Sequence, residues 1–104
     1  MILEVRTYTI RTGLVADYLK LYETEGYATH RKHLGDPVGW FTTETGTLNQ
    51  VVHMWRYDSQ AERELKRAKL YADPAWLSFI PKTRAYIERM ENQILHGTAF
   101  SPMK

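Results

Sequence analysis

Four stretches of the chain have the composition and side-chain spacing that favour β-strands. They are Met1–Arg11, Val38–Thr45, Leu48–Ser59 and Ile87–His96. In Leu48–Ser59 both alternating sets of residues carry large side chains, so neither face has the composition of a solvent face. A strand that is covered on both faces lies inside a sheet, and we expect Leu48–Ser59 to be the central strand.

Two helical segments separate these strands. From Leu14 to about Leu34 the apolar residues recur at helical spacing, and Gly26 is a candidate interruption. Ser59 and Glu62 fit a capping box at the start of the second segment, in which each side chain satisfies an end amide. Asp73-Pro74 then starts a further helical turn. The second helix carries a stripe of small residues that predicts close packing onto the sheet: Ala61, Leu65, Ala68 and Ala72.

The order of elements predicts an α+β fold of the ferredoxin-like βαββαβ type. Right-handed crossovers place both helical segments on one face of a four-stranded antiparallel sheet. The 104 residues form one domain, with a core over residues 1–96 and a tail over residues 97–104. No helix remains for the other sheet face, although the strands carry bulky side chains there. We therefore expect a second copy of the chain to cover it in a two-fold homodimer.

The composition narrows the possible functions. The net charge is +2, and the basic residues are interleaved with acidic ones. The βαββαβ order is shared with RNA-recognition domains, but their aromatic signature is missing, so we expect no nucleic-acid partner. The absence of cysteine excludes thiolate chemistry and disulfides. No apolar run approaches the length of a membrane span, and we expect a cytoplasmic protein with no membrane partner.

Three segments of the sequence resemble the NIPSNAP family: His33-Leu34-Gly35, Leu48–Ser59 and Ala72–Trp76. The resemblance extends over roughly Ile2 to Leu95. It implies the fold of the dimeric α+β barrel superfamily, and with it the same homodimer that the uncovered sheet face predicts. That superfamily includes cofactor-independent oxygenases, lactone isomerases and haem-handling enzymes, in which a pocket lies between helices and sheet. Polar residues facing such a pocket are the candidates for a site.

One stripe of the first helical segment changes from apolar to polar along its length. Tyr18 and Tyr22 are followed on this stripe by Glu25 and His33. If the stripe lines the pocket, a histidine beside a carboxylate forms a general base near neutral pH, with Tyr18 as a further catalytic group. The alternative is that Glu25 is solvated and His33 lies at a helix C-terminus, where the helix dipole favours a cation.

The central strand supplies a third catalytic candidate. His53 shares a face with Trp55, and in the pocket it would pair with a substrate oxygen or a haem iron. Otherwise it is a core histidine bonded to a neighbouring carbonyl or tyrosine.

Aromatic side chains can enclose a flat ligand, although they are equally typical of a core. The candidate ligand-binding residues are Tyr8, Tyr22, Glu25, Trp40 and Trp55.

Two further groups of polar residues have alternative interpretations. Arg6 and Arg56, with Glu4 nearby, form either a buried ion network at the barrel seam or an anion clamp. His30 and His33 have the i, i+3 spacing of metal ligands, but no Asp or Glu clearly completes a site. We therefore predict no metal and no cofactor.

Two functions are consistent with this sequence. The first is a homodimeric α+β barrel that binds a small apolar or aromatic molecule, with cofactor-independent oxygenase or isomerase activity as its candidate chemistry. The alternative is a non-enzymatic protein-interaction module whose barrel is filled by its own side chains, which seven Tyr and three Trp would supply. The volume of the cavity between helices and sheet distinguishes the two.

Overall fold

One antiparallel sheet forms the base of the fold in the computed structural model, which describes residues 1–104. Its strands are β1 (Ile2–Ile10), β2 (Gly39–Thr42), β3 (Gln50–Tyr57) and β4 (Ile87–His96). They lie in the order β2-β3-β1-β4, so β3 and β1 are the inner strands. The predicted α+β architecture and the inner position of the Leu48–Ser59 strand are confirmed.

Four helices lie against this sheet: α1 (Val15–Glu25), α2 (Tyr27–Leu34), α3 (Gln60–Tyr71) and α4 (Pro74–Thr83). Gly26 separates α1 from α2, as its low helix propensity predicts. A Cβ atom at this position would lie 2.8 Å from Cζ of Phe79, so the glycine lets α4 approach the kink. None of the four helices combines the length and the apolar character that crossing a bilayer requires.

The two faces of the sheet differ in burial. Residues of β1 and β3 that face the helices are buried: Ile2, Glu4, Tyr8, Ile10, Val51, His53, Trp55 and Tyr57. On the opposite face, large apolar side chains remain partly exposed: Leu3, Val5, Val52, Met54 and Phe41. The helices therefore cover one sheet face only, which is the arrangement that the element order predicts.

The prediction that a stripe of small residues packs the second helical segment onto the sheet is wrong. These small residues (Ala61, Leu65, Ala68 and Ala72) are exposed, and Leu65 retains 60% of its accessible surface. The face of α3 turned toward the sheet instead carries Arg63, Arg67 and Leu70. Arg63 turns inward because its guanidinium binds the carboxylate of Glu4, a residue of β1 that is fully buried.

The connections also differ from the sequence-based expectation. β2 ends at Thr42 rather than Thr45, and β3 begins at Gln50 rather than Leu48, so the hairpin connection is longer than Gly46-Thr47. Asn49 has φ 62°, a left-handed conformation that asparagine tolerates better than most residues and that ends regular pairing. α4 is one helix that continues through Pro81.

Candidate functional site

A cavity lies between the helix layer and the sheet, at the centre of the helix-covered face. Its walls combine ten hydrophobic residues with a few polar ones. Space not occupied by atoms amounts to about 420 Å³ with the mouth included, but only about 40 Å³ admits the centre of a water molecule. The smaller volume is the space that a bound molecule could occupy without any movement of the wall. It corresponds to a few water molecules. Met90 and Tyr71 are the most exposed wall residues, which places the mouth between β4 and the end of α3.

His53 occupies the sheet side of this cavity and is 1% exposed. The indole of Trp40 stacks on its ring, with centroids 4.0 Å apart and planes 5° from parallel. Trp55, two residues along β3, donates its indole N–H to Nδ1 of His53 at 2.7 Å. The imidazole is therefore fixed in both orientation and hydrogen bonding.

This hydrogen bond fixes the tautomer of His53. An indole nitrogen is only a donor, so Nδ1 must carry a lone pair and the proton of the neutral ring must lie on Nε2. Burial, with a smaller contribution from Arg6, lowers the pKa of His53 to about 3. His53 is therefore a neutral ring that presents Nε2–H as a donor at physiological pH.

His30 is a cavity residue that the sequence analysis considered only as a metal ligand with His33. It lies in the cavity wall, 2.7 Å from the hydroxyl of Tyr22 through Nδ1, and its ring packs 4.1 Å from Trp55 and 4.6 Å from Trp76. Burial lowers the pKa of His30 to about 2, and nearby His53 adds to this effect. The break at Gly26 changes the phase of the helix, so His30 rather than His33 follows Tyr22 into the cavity.

Several polar atoms around the cavity have no hydrogen-bond partner. The buried Nε2 of His53, Nε1 of Trp40 and Nε1 of Trp76 are all unpaired, and all three residues belong to the cavity wall. The hydroxyl of Tyr57, outside this wall, is also unpaired. An unpaired buried donor costs about 1–3 kcal/mol, so three around one cavity are unusual for a plain core.

The wall carries two arginines and no carboxylate. Arg6 donates to Glu4 at 2.9 Å and to the hydroxyl of Tyr8 at 2.8 Å. Arg67 has no ion-pair or hydrogen-bond partner, and its guanidinium lies 5.4 Å from the ring of Tyr71. One arginine is therefore engaged by neighbouring groups, and the other is not.

Behind Arg6, Glu4 is the centre of a buried ion network. Its carboxylate also accepts from Arg63 at 2.8 and 3.1 Å and from Asn92 at 3.0 Å. Although burial alone would raise its pKa, these contacts hold the pKa of Glu4 to about 2. Of the two interpretations of Arg6, the geometry matches the ion network. Arg56 was wrongly included, because it is exposed on the opposite face of the sheet.

Among the predicted helix residues, Tyr18 and Tyr22 lie in the wall. Burial raises the pKa of both phenols well above the ordinary value, so both remain protonated. Glu25 instead forms an ion pair with Lys82 at the surface, and His33 lies outside the cavity with Nε2 2.8 Å from Asp73. That contact lowers the pKa of Asp73, which also caps α4 through the N–H of Ala75.

The structure thus brings most of the predicted site residues together. Tyr8, Tyr18, Tyr22, Trp40 and His53 line the cavity. Trp55 packs behind His53 and acts on it through the indole N–H. Glu25 and His33 are not part of the site, and His30 and His33 have different partners.

The sequence profile of the NIPSNAP family matches residues 3–102 of this chain. The chain belongs to the NIPSNAP family. A NipSnap homologue from Dictyostelium discoideum is 35% identical over 92 residues, which is 88% of this chain and 40% of that protein. NipSnap homologue 2 from Danio rerio is 30% identical, over 99% of this chain and 35% of its own length. This NIPSNAP chain therefore spans well under half the length of these curated relatives.

Solved NIPSNAP structures match the whole fold. A NIPSNAP family protein of unknown function from Agrobacterium tumefaciens is 45% identical, with a TM-score of 0.94 over 100% of this chain and 94% of that chain. An uncharacterised NIPSNAP domain protein from Burkholderia xenovorans is 39% identical, with a TM-score of 0.94 over 98% and 99% of the two chains. An antibiotic biosynthesis monooxygenase, only 12% identical with a TM-score of 0.64 over 94% and 99%, shares the fold alone.

Proposed function

We propose that this NIPSNAP chain binds a small apolar or aromatic molecule in the cavity between helices and sheet, as a homodimeric α+β barrel. The observation that carries the proposal is the group of three unpaired N–H donors around one largely apolar cavity. A ligand oxygen would give these donors the partner that the chain does not supply. Apolar walls with a few fixed polar groups are the usual composition of small-molecule sites.

Binding has better support than proton abstraction. An isomerase or a cofactor-independent oxygenase needs a base that takes a proton from its substrate. The proton on Nε2 of His53 and the low pKa values of His53 and His30 make both rings poor bases. A neutral imidazole can instead donate a hydrogen bond to a bound or developing oxyanion. If the protein is an enzyme, this is the role that the geometry favours for His53.

Ligand titration of the intrinsic tryptophan fluorescence tests the proposal, since Trp40 and Trp76 both belong to the cavity wall. A panel of small aromatic molecules is titrated into wild type, His53→Ala and His33→Ala. We expect saturable binding by wild type and by His33→Ala, because His33 lies outside the cavity. His53→Ala should bind at least tenfold more weakly. Equal binding by all three proteins would refute the site.

The proposed second copy covers the sheet face that lacks helices. Phe41 on this face is 54% exposed and adjoins the partly exposed Val52 and Met54. Arg56, Arg89 and Glu91 lie on the same face, where Glu91 is paired with Arg89 within the chain. A contiguous apolar sheet face is typical of a protein–protein interface, and a two-fold pairing of identical faces would cover both copies.

Sedimentation at micromolar concentration tests this dimer. We expect a species of twice the 12.2 kDa chain mass. Val52→Glu, on the open face, should give monomers because it buries a charge in the interface. The matched variant Leu65→Glu places the same charge on the exposed face of α3 and should remain dimeric. A stable monomer of the wild-type chain would refute the dimer.

One observation favours the alternative of a protein-interaction module with a filled barrel. Only about 40 Å³ of the cavity admits water, whereas a cavity that holds benzene measures about 150 Å³. Such a module requires no ligand at all. Failure of every probe to bind, together with unchanged fluorescence in wild type, would support the filled barrel over the binding site.

A further inference from the structure

The fully buried side-chain atoms of the cavity wall that have no hydrogen-bond partner are all donors. Nε2 of His53 is a donor in the tautomer that Trp55 imposes, and the indole N–H groups of Trp40 and Trp76 are donors in any state. No Asp or Glu belongs to the wall, and Arg67 adds a cation that no carboxylate neutralises. The cavity wall therefore carries no negative charge, and its fully buried unpaired atoms are all donors.

From this one-sided set of groups, we propose that the cavity recognises the carboxylate of an apolar organic acid. The inference rests on the proposed function and names the chemical class of its ligand. A carboxylate offers two oxygens that accept hydrogen bonds and a charge that complements a guanidinium. An ammonium group brings only donors and a positive charge, so it can pair neither with these N–H groups nor with Arg67.

Arg67 is the charge partner that this ligand would engage. Arg6 cannot serve equally well, because Glu4 and the Tyr8 hydroxyl already occupy its guanidinium. Arg67 has no ion pair or hydrogen bond, and its guanidinium lies over the ring of Tyr71, 5.4 Å from the ring centroid. A cation–π contact at a half-exposed site is weak, so a carboxylate can replace it.

The rest of the wall suits the apolar part of such an acid. Tyr22 and Trp40 present rings 4.1 Å apart, and Phe79 and Ile80 come from the helix layer. The water-sized space is smaller than an aromatic ring, so entry requires the mouth to widen. Met90 and Tyr71, which are 53% and 44% exposed, border the mouth and are the wall residues that would have to move apart.

Matched acids and amides test the inference, because they have similar shapes and differ in charge. Benzoate, phenylacetate and octanoate are compared with benzamide, phenylacetamide and octanamide by calorimetry at pH 7 with wild-type protein. At least one acid should bind tenfold or more tightly than its amide. Equal affinity of each acid and its amide would overturn the carboxylate inference and leave small-molecule binding standing. Failure of all six probes would overturn both.

Substitutions then locate the effect. Arg67→Met removes the cation and keeps an apolar stem, and it should erase most of the preference for acid over amide. Arg84→Met removes one exposed arginine outside the cavity wall and should keep the preference. His53→Phe should weaken acid binding tenfold or more, with circular dichroism melts to check folding. Because Arg67 is not in the core, its variant stays informative if His53→Phe fails to fold. An unchanged preference in Arg67→Met would overturn the proposal.

Discussion

Trp55 donates its indole N–H to Nδ1 of His53 at 2.7 Å, although the two residues are only two positions apart on β3. Residues i and i+2 share a face of a strand, so this contact needs no long-range element to form. It determines which nitrogen of the imidazole carries the proton. A local feature of one strand therefore decides that the cavity receives a hydrogen-bond donor.

Glu4→Gln should destabilise the fold by about 3 kcal/mol, because it leaves Arg6 and Arg63 without their buried counter-charge. Urea unfolding at pH 7 measures the loss. Glu88→Gln is the matched control, since its ion pair with Arg11 is long, at 4.0 Å, and half-exposed. That control should change stability by less than about 1 kcal/mol. Similar losses in the two variants would contradict the assignment of Glu4 as the centre of the network.

Stability should fall as the pH drops from 7 to 5. The unfolded chain protonates His30 and His53 below pH 6.5, whereas burial keeps both rings neutral in the folded protein down to about pH 2 to 3. The unfolded state therefore gains protons that the folded state does not, and each histidine contributes a loss of about 2 kcal/mol at pH 5. Below pH 4.5 the lowered pKa of Glu4 adds a loss of the same sign.

Denaturant unfolding at both pH values measures this loss, with His53→Phe and His96→Gln as variants. His53→Phe should show about half of the wild-type decrease. His96→Gln removes an exposed histidine and should follow wild type. A decrease of wild-type size in His53→Phe would mean that His53 is not held neutral by burial.

Gly26→Ala should destabilise the protein by about 1–3 kcal/mol, despite the higher helix propensity of alanine. Its Cβ would meet the ring of Phe79 at 2.8 Å, and that ring is packed against Trp76 at 5.1 Å. Thermal unfolding of Gly26→Ala, Phe79→Leu and the double variant forms a cycle. The double variant should be more stable than the sum of the single effects predicts. A stabilised Gly26→Ala protein would show that the kink does not depend on Phe79.

The sequence predicts the strands, their faces and the break at Gly26, because alternation and helix propensity are local properties. It does not predict the inward face of α3, since the buried carboxylate that attracts Arg63 is Glu4, 59 positions away. The sequence also predicts His33 instead of His30 as the histidine beside Tyr22, because an unbroken helix keeps His33 in phase with Tyr22. The sequence predicts the interruption, but the rotation that follows it depends on how Phe79 packs against the kink.

Imidazole ¹⁵N NMR at pH 7 measures whether His53 is a neutral ring with its proton on Nε2. We expect wild type to show a protonated Nε2 and an unprotonated Nδ1, whereas Trp55→Phe, which lacks the indole donor, should show a mixture of tautomers. A wild-type spectrum with the proton on Nδ1, or with both nitrogens protonated, would contradict the neutral Nε2–H assignment of His53.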